Sequence, residues 1–169
     1  MFYNYAMNTN ELHEDIKDHK NRLGDVYSEV TELVIPFFML HQKLFEAACK
    51  IQEEKYKLSN SEVDVLITAL VSGDENYIIS PTKLYHKLLF TTGAITKVLK
   101  KLEYKKYIIR IDNEHDKRSK LLQLTPKGIS TTKEVFKDVM NFQEKVFSAL
   151  TKREQDIFEN SLIKILKNI

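Results

Sequence analysis

The sequence predicts a mainly α-helical protein with a small β wing, and three observations carry that reading. Apolar residues recur at helical spacing over long stretches at both ends of the chain. Only 4 Gly and 3 Pro occur among 169 residues, too few for an all-β fold with many turns. A single alternating, β-branched run, Tyr107 to Asp112, is followed by a polar tip and a second run from Lys120 to Leu124.

Each element has its own signal. Glu11 to Lys57 reads as largely helical, with Val26, Val30, Leu33, Val34, Phe37, Phe38, Leu40, Leu44 and Phe45 spaced for one apolar face. Gly24 is a candidate break. Pro36 predicts a kink or interruption, because its ring removes a hydrogen bond and clashes one turn back. Ser59 and Ser61 are the two candidate caps of the next helix, which carries Val63, Leu66, Ile67 and Leu70 and stops before Gly73. Gly73 to Asn76 is a turn and Tyr77 to Ile79 a short β-prone run. Ser80-Pro81 opens a helix to about Phe90, with Ser as cap and Pro where a missing N–H costs nothing. Thr91-Thr92-Gly93 turns into a helix from Thr92 to about Lys106. Thr125-Pro126 starts another long helix. Thr151 with Glu154 forms a capping box for the last one, whose apolar positions are Phe158, Leu162, Ile165 and Ile169. Two helices joined by a tight turn and followed by a two-stranded hairpin make a winged helix-turn-helix.

Composition excludes several classes. The longest apolar stretch, Leu33 to Leu40, is too short to span a bilayer and contains Pro36. The first eighteen residues are acidic and polar, unlike a secretory signal. The single cysteine, Cys49, excludes an internal disulfide and a Cys-based zinc cluster, and the expectation is a reduced, cytoplasmic protein. The five histidines are dispersed without metal-ligand spacing, so no metal is expected. No phosphate-cradling glycine loop occurs, no cofactor is expected, and no nucleophile-base pair or carboxylate pair marks an enzyme.

Charge is unevenly placed. Residues 77–128 carry twelve Lys/Arg against four Asp/Glu, a net of +8, while the stretch before them is −7 and the stretch after them +1. A basic segment in an acidic frame is the footprint of a nucleic-acid reader, although a solvated lysine-rich face has the same composition. The helical wheel adds detail. With Ile95 at the centre, Val98, Leu99 and Leu102 form one stripe, and Gly93, Thr96, Lys97, Lys100 and Lys101 lie on the outer side. Small residues ahead of cations suit a helix entering a major groove. At the hairpin tip, Asp116 stands two residues before Arg118 and can orient its guanidinium, which from a turn can reach a minor groove. An exposed polar turn with a weak ion pair would read the same way.

LSNSEVDVL (58–66), SPTKLYHKLLFTTGAITKVLKKLEYKKYI (80–108) and DKRSKLLQLTPKG (116–128) together resemble the DNA-binding lobe of the MarR family of bacterial transcription regulators. The resemblance implies a division into a helical dimerisation segment over 1–57, a winged helix-turn-helix lobe over 58–128 and C-terminal dimerisation helices over 129–169. It implies a homodimer that reads a pseudo-palindromic operator in double-stranded DNA, a repressor released by a small phenolic or anionic effector. Thr92, Gly93, Thr96 and Lys97 are the candidates for base-edge or close backbone approach. Ser80, Thr82, Lys100 and Lys101 are candidates for phosphate positioning, and Arg118 for the minor groove with Asp116 orienting it. Thr91, Lys117 and Lys120 complete the expected DNA-binding set. The alternative is a winged-helix module that meets an acidic protein partner and has no preference among DNA sequences.

Overall fold

In a computed structural model of the chain, the described residues are 11–88, 92–113 and 119–169. The helices are α1 (Leu12–Leu23), α2 (Thr31–Tyr56), α3 (Asn60–Ser72), α4 (Pro81–Leu88), α5 (Thr92–Tyr104), α6 (Pro126–Phe147) and α7 (Lys152–Leu166). The strands are β1 (Ile78–Ile79), β2 (Ile108–Asp112) and β3 (Lys120–Leu124). They form one antiparallel sheet in the order β1-β3-β2. The helical protein with a β wing read from the sequence is therefore the fold. Gly24 does break the first helix, at φ 53°, and a single 3-10 turn follows it. Pro36 does not interrupt α2, which runs on for twenty residues beyond it. Its missing N–H costs one bond, to the Glu32 carbonyl, and the following turns carry the helix forward. The last helix is also shorter than the apolar spacing suggested: it ends at Leu166, with Ile169 beyond it and almost fully exposed.

The chain divides into two units, residues 1–48 and 49–169. In the first, Ile35 and Ala48 are the buried apolar residues among those described, and α1 buries none. Val26, Val30, Leu33, Phe37, Phe38 and Phe45 stand exposed there.

The second unit holds the core. Its centre is α3, which packs against α4, α5, α6 and β3 and buries Val63, Val65, Leu66 and Ala69. Leu84 of α4, Ile95, Leu99 and Leu102 of α5, Ile108 of β2, Leu122 of β3 and Val135 of α6 close around it, each at most 2% exposed. Ser59 is the cap of α3: its Oγ accepts from the Glu62 N–H, and the Glu62 carboxylate accepts from the Ser59 N–H at 2.8 Å. Thr151 and Glu154 repeat the arrangement on α7.

The join between wing and α6 is close. The Thr125 N–H donates to the Tyr107 carbonyl at 3.0 Å, and Thr125 Oγ1 donates to the Lys106 carbonyl at 2.8 Å while accepting from the Gly128 N–H at 3.0 Å. A Cβ on Gly128 would meet the Tyr107 carbonyl oxygen at 2.1 Å, so only glycine fits this approach of helix to strand. That contact explains why Leu124-Thr125 is followed by Gly at 128.

Candidate nucleic-acid interface

The candidate reading surface is built on α4, α5 and the β2–β3 hairpin. Helix α5 places its side chains as the wheel requires. Ile95, Leu99 and Leu102 are buried, Val98 is half-buried, and Thr96, Lys97, Lys100 and Lys101 are all exposed on the other side. The structure thus brings these four together along one helix. The backbone of Thr92 and Gly93 lies in the first turn of α5, where the dipole of a helix N-terminus favours an anion. Thr91, Asp116, Lys117 and Arg118 lie outside the described residues.

Helix α4 starts where Ser80-Pro81 predicted. Ser80 Oγ accepts from the Lys83 N–H at 3.2 Å, so this hydroxyl already serves the helix end, and Thr82 is exposed in the first turn. Lys83 reaches back to the Ser72 carbonyl at 2.6 Å and ties α4 to the end of α3. His86 and Lys87 stand exposed in the last turn of α4. Lys87 was missed by sequence reasoning, although three basic side chains in an eight-residue helix are a signal for it.

Lys120 lies at the wing's neck, directly across the ladder from Asp112, and its Nζ meets Asp112 Oδ1 at 2.5 Å. One step further out, Asn113 Nδ2 donates to Ser119 Oγ at 2.8 Å.

Several cations of the basic segment are committed to the fold. Lys105 Nζ donates to the Glu62 carboxylate at 2.7 Å and to the Lys57 carbonyl at 2.9 Å. Arg110 Nε lies 3.4 Å from Glu103 Oε2 and joins β2 to α5. Lys127 donates to the Lys105 carbonyl at 3.0 Å and sits 4.4 Å above the Tyr107 ring. The net charge of the segment overstates its free cations for this reason. Among the described residues, Lys97, Lys100 and Lys101 of α5 and Lys87 at the end of α4 are exposed cations of the segment that these bonds do not include.

Burial of the Cys49 thiol, with the Glu53 and Asp64 carboxylates nearby, pushes its pKa up, the opposite of what a reactive thiolate needs. Among the described residues no group of His, Cys, Asp or Glu could hold a metal ion, and no helix is long and apolar enough to cross a membrane. Two clefts have the volume of a small molecule. One, of about 380 Å³, is lined by Leu12, His13, Ile16, Lys17, Lys20, Tyr27, Glu32 and Pro36. The other, of about 420 Å³, lies between the end of α2 and α6, around Ile51, Glu54, Lys55, Asp138 and Phe142.

Known transcription regulators resemble this chain. Residues 47–135 match the family described as transcriptional regulator SarA/Rot. The HTH-type transcriptional regulator PapX of Escherichia coli is 28% identical over 160 residues, covering 95% of this chain and 96% of PapX. The transcriptional repressor MprA of E. coli K12 is 29% identical over 124 residues, covering 71% of this chain and 70% of MprA. The crystal structure of the S. aureus MepR–DNA complex superposes with a TM-score of 0.67 at 19% identity, covering 85% of this chain and 99% of MepR. These relatives are transcription regulators, not enzymes. With more than half its length matched, the chain belongs to the SarA/Rot family of transcriptional regulators, and its fold is that of the MarR-type winged-helix structures.

Proposed function

We propose that the protein binds a pseudo-palindromic operator in double-stranded DNA as a homodimer, represses transcription there and is released by a small effector. The observation that carries the DNA reading is the outward face of α5, where Thr96 is followed by Lys97, Lys100 and Lys101 beside the hairpin. Thr96 and Lys97, with the backbone at Thr92 and Gly93, approach base edges. Ser80, Thr82, Thr91, Lys100, Lys101, Lys117 and Lys120 position phosphates, and Arg118, oriented by Asp116, enters the minor groove. Repression follows the precedent of MprA, and the workplace of such a regulator in a bacterium is the cytoplasm.

Dimerisation is supported by apolar side chains that face solvent in a single chain. Leu33, Phe37, Phe38, Ile157, Ile163, Ile165 and Leu166 are 42% to 72% exposed, which is costly to leave uncovered. Segments 1–57 and 129–169 are the dimerisation parts and 58–128 the reading head. A dimer spaces two copies of α5 about one turn of B-DNA apart. The effector is a small phenolic or other anionic molecule. The cleft that carries Lys17 and Lys20 beside Ile16 and Pro36 has suitable size and charge.

The test is a titration of labelled duplex promoter fragments across salt concentrations. Wild-type affinity should fall with a log–log slope of roughly −0.9 for each phosphate neutralised. Changing Lys97, Lys100 and Arg118 together to Gln should flatten that slope by about 2 to 3 units. Binding and slope that survive the triple change would show the assigned surface to be wrong.

A further inference from the structure

The basic segment 77–128 contains four carboxylates against twelve cations. Two of the four fall among the described residues, and each is taken by a cation of the same segment: Glu103 by Arg110, and Asp112 by Lys120. The second pair occupies a particular place. Asp112 and Lys120 are partners on the last rung of the β2–β3 ladder, and the Asn113–Ser119 hydrogen bond follows one step out. The Asp112 side chain is 86% exposed and that of Lys120 53%. A pair so exposed contributes little to stability. It can therefore exchange partners easily, and a phosphate oxygen offers Lys120 the same chemistry as the carboxylate.

We infer that Asp112 restrains DNA affinity: its carboxylate occupies Lys120 in the free protein, competes with DNA phosphate for it, and holds down binding to duplexes of any sequence. This rests on the DNA reading proposed above. Lys120 follows Arg118 by two residues, a chain reach of at most about 7 Å. A duplex engaged by Arg118 thus approaches the pair to about the screening length of physiological salt, roughly 8 Å. A phosphate that draws Lys120 away leaves Asp112 bare beside the polyanion. The phosphate releases a counterion, and the bare carboxylate takes one up. Lys120 accordingly adds nothing to the salt slope while Asp112 is present. Without the carboxylate, its full share of the slope returns.

The experiment uses the full chain and a fluorescein-labelled duplex of random sequence, titrated by anisotropy between about 50 and 200 mM salt. Asp112→Asn should bind several-fold tighter, with a log–log slope steeper by about 0.9. Combining it with Lys120→Gln should cancel the steeper slope, because the gain runs through Lys120. Thermal melts of each variant check that the fold is retained, as expected for two exposed side chains. The inference is overturned if Asp112→Asn leaves the slope unchanged or weakens binding, or if the steeper slope persists without Lys120. The wild-type titration separates the two levels. A wild type with no salt-dependent duplex binding overturns the DNA reading, and the inference with it. A salt-dependent wild type with an unaltered Asp112→Asn slope overturns the Asp112 assignment alone.

Discussion

Lys105 Nζ donates to Glu62 Oε1 at 2.7 Å, and in doing so joins the end of α5 to the start of α3. The Glu62 side chain is only 3% exposed and that of Lys105 32%. The other carboxylate oxygen, Oε2, accepts from the Ser59 N–H and hydroxyl. Burial alone would raise the Glu62 pKa, but the hydrogen bonds from Lys105 and Ser59 outweigh it and hold the carboxyl below its ordinary value. A carboxyl depressed in the folded state contributes stability that is fully present above its unfolded pKa and is lost as pH falls through the folded one. Urea unfolding should show stability declining below about pH 4.3, with Glu62→Gln removing part of that decline. Lys105→Met, which leaves the carboxylate buried without its cation, should cost about 2 to 3 kcal/mol at neutral pH.

Gly128→Ala should destabilise the protein by about 3 kcal/mol or more. The added Cβ meets backbone, the Tyr107 carbonyl, which has no rotamer by which to move away. Thermal unfolding of the variant against Gly24→Ala is the control. Gly24 has open space around it but a φ of 53°, so its loss is one of backbone strain and should be the smaller of the two.

Within the recognition face, two substitutions should behave differently. Lys100→Gln should weaken binding to all duplexes and lower the salt slope by about 0.9. Thr96→Val should leave the slope alone and relax discrimination at one base pair by about 1 to 3 kcal/mol. Competition titrations with single-base operator variants measure both.

Leu33→Glu with Ile165→Glu should shift the protein from dimer to monomer in sedimentation equilibrium. The wild-type melting temperature should rise with protein concentration, as it must when assembly is linked to folding. A monomeric wild type at micromolar concentration would contradict the dimer proposal.

Cys49 should react with maleimide more slowly at neutral pH than a free thiol does, because its pKa is raised by burial and by the Glu53 and Asp64 carboxylates. Cys49→Ser should retain DNA affinity within about twofold before and after mild oxidation, corresponding to less than about 0.5 kcal/mol.

What could be read in advance depended on how local the signal was. Caps and turns were legible because the determinant and its effect lie within four residues: Ser80 with Pro81, Thr125 with Pro126, Thr151 with Glu154, while the choice between Ser59 and Ser61 was open until the Glu62 carboxylate was seen on the Ser59 N–H. The α5 stripe was legible because a single helix fixes the angle between Ile95 and Lys97. The interruption offered as one outcome at Pro36 did not occur, since proline chemistry predicts a lost bond but not whether the surrounding turns carry the helix past it. Lys105 was counted among the cations of the basic segment, yet its partner Glu62 is 43 residues away in the chain. No spacing rule reaches across that distance. Gly128 was visible as a motif residue, but its reason, the carbonyl of Tyr107, came only from the close approach of α6 to the residue that precedes β2.

The grip of Thr125 and Gly128 on Tyr107 has a mechanical result. That join fixes the start of α6 beside the residue that precedes β2, and its 22 residues carry the helix about 33 Å onward. Along that length α6 packs on α3, and Asp138 binds Lys55 and Tyr56 at the end of α2, so the helix is a strut that runs from the root of the hairpin to the end of α2.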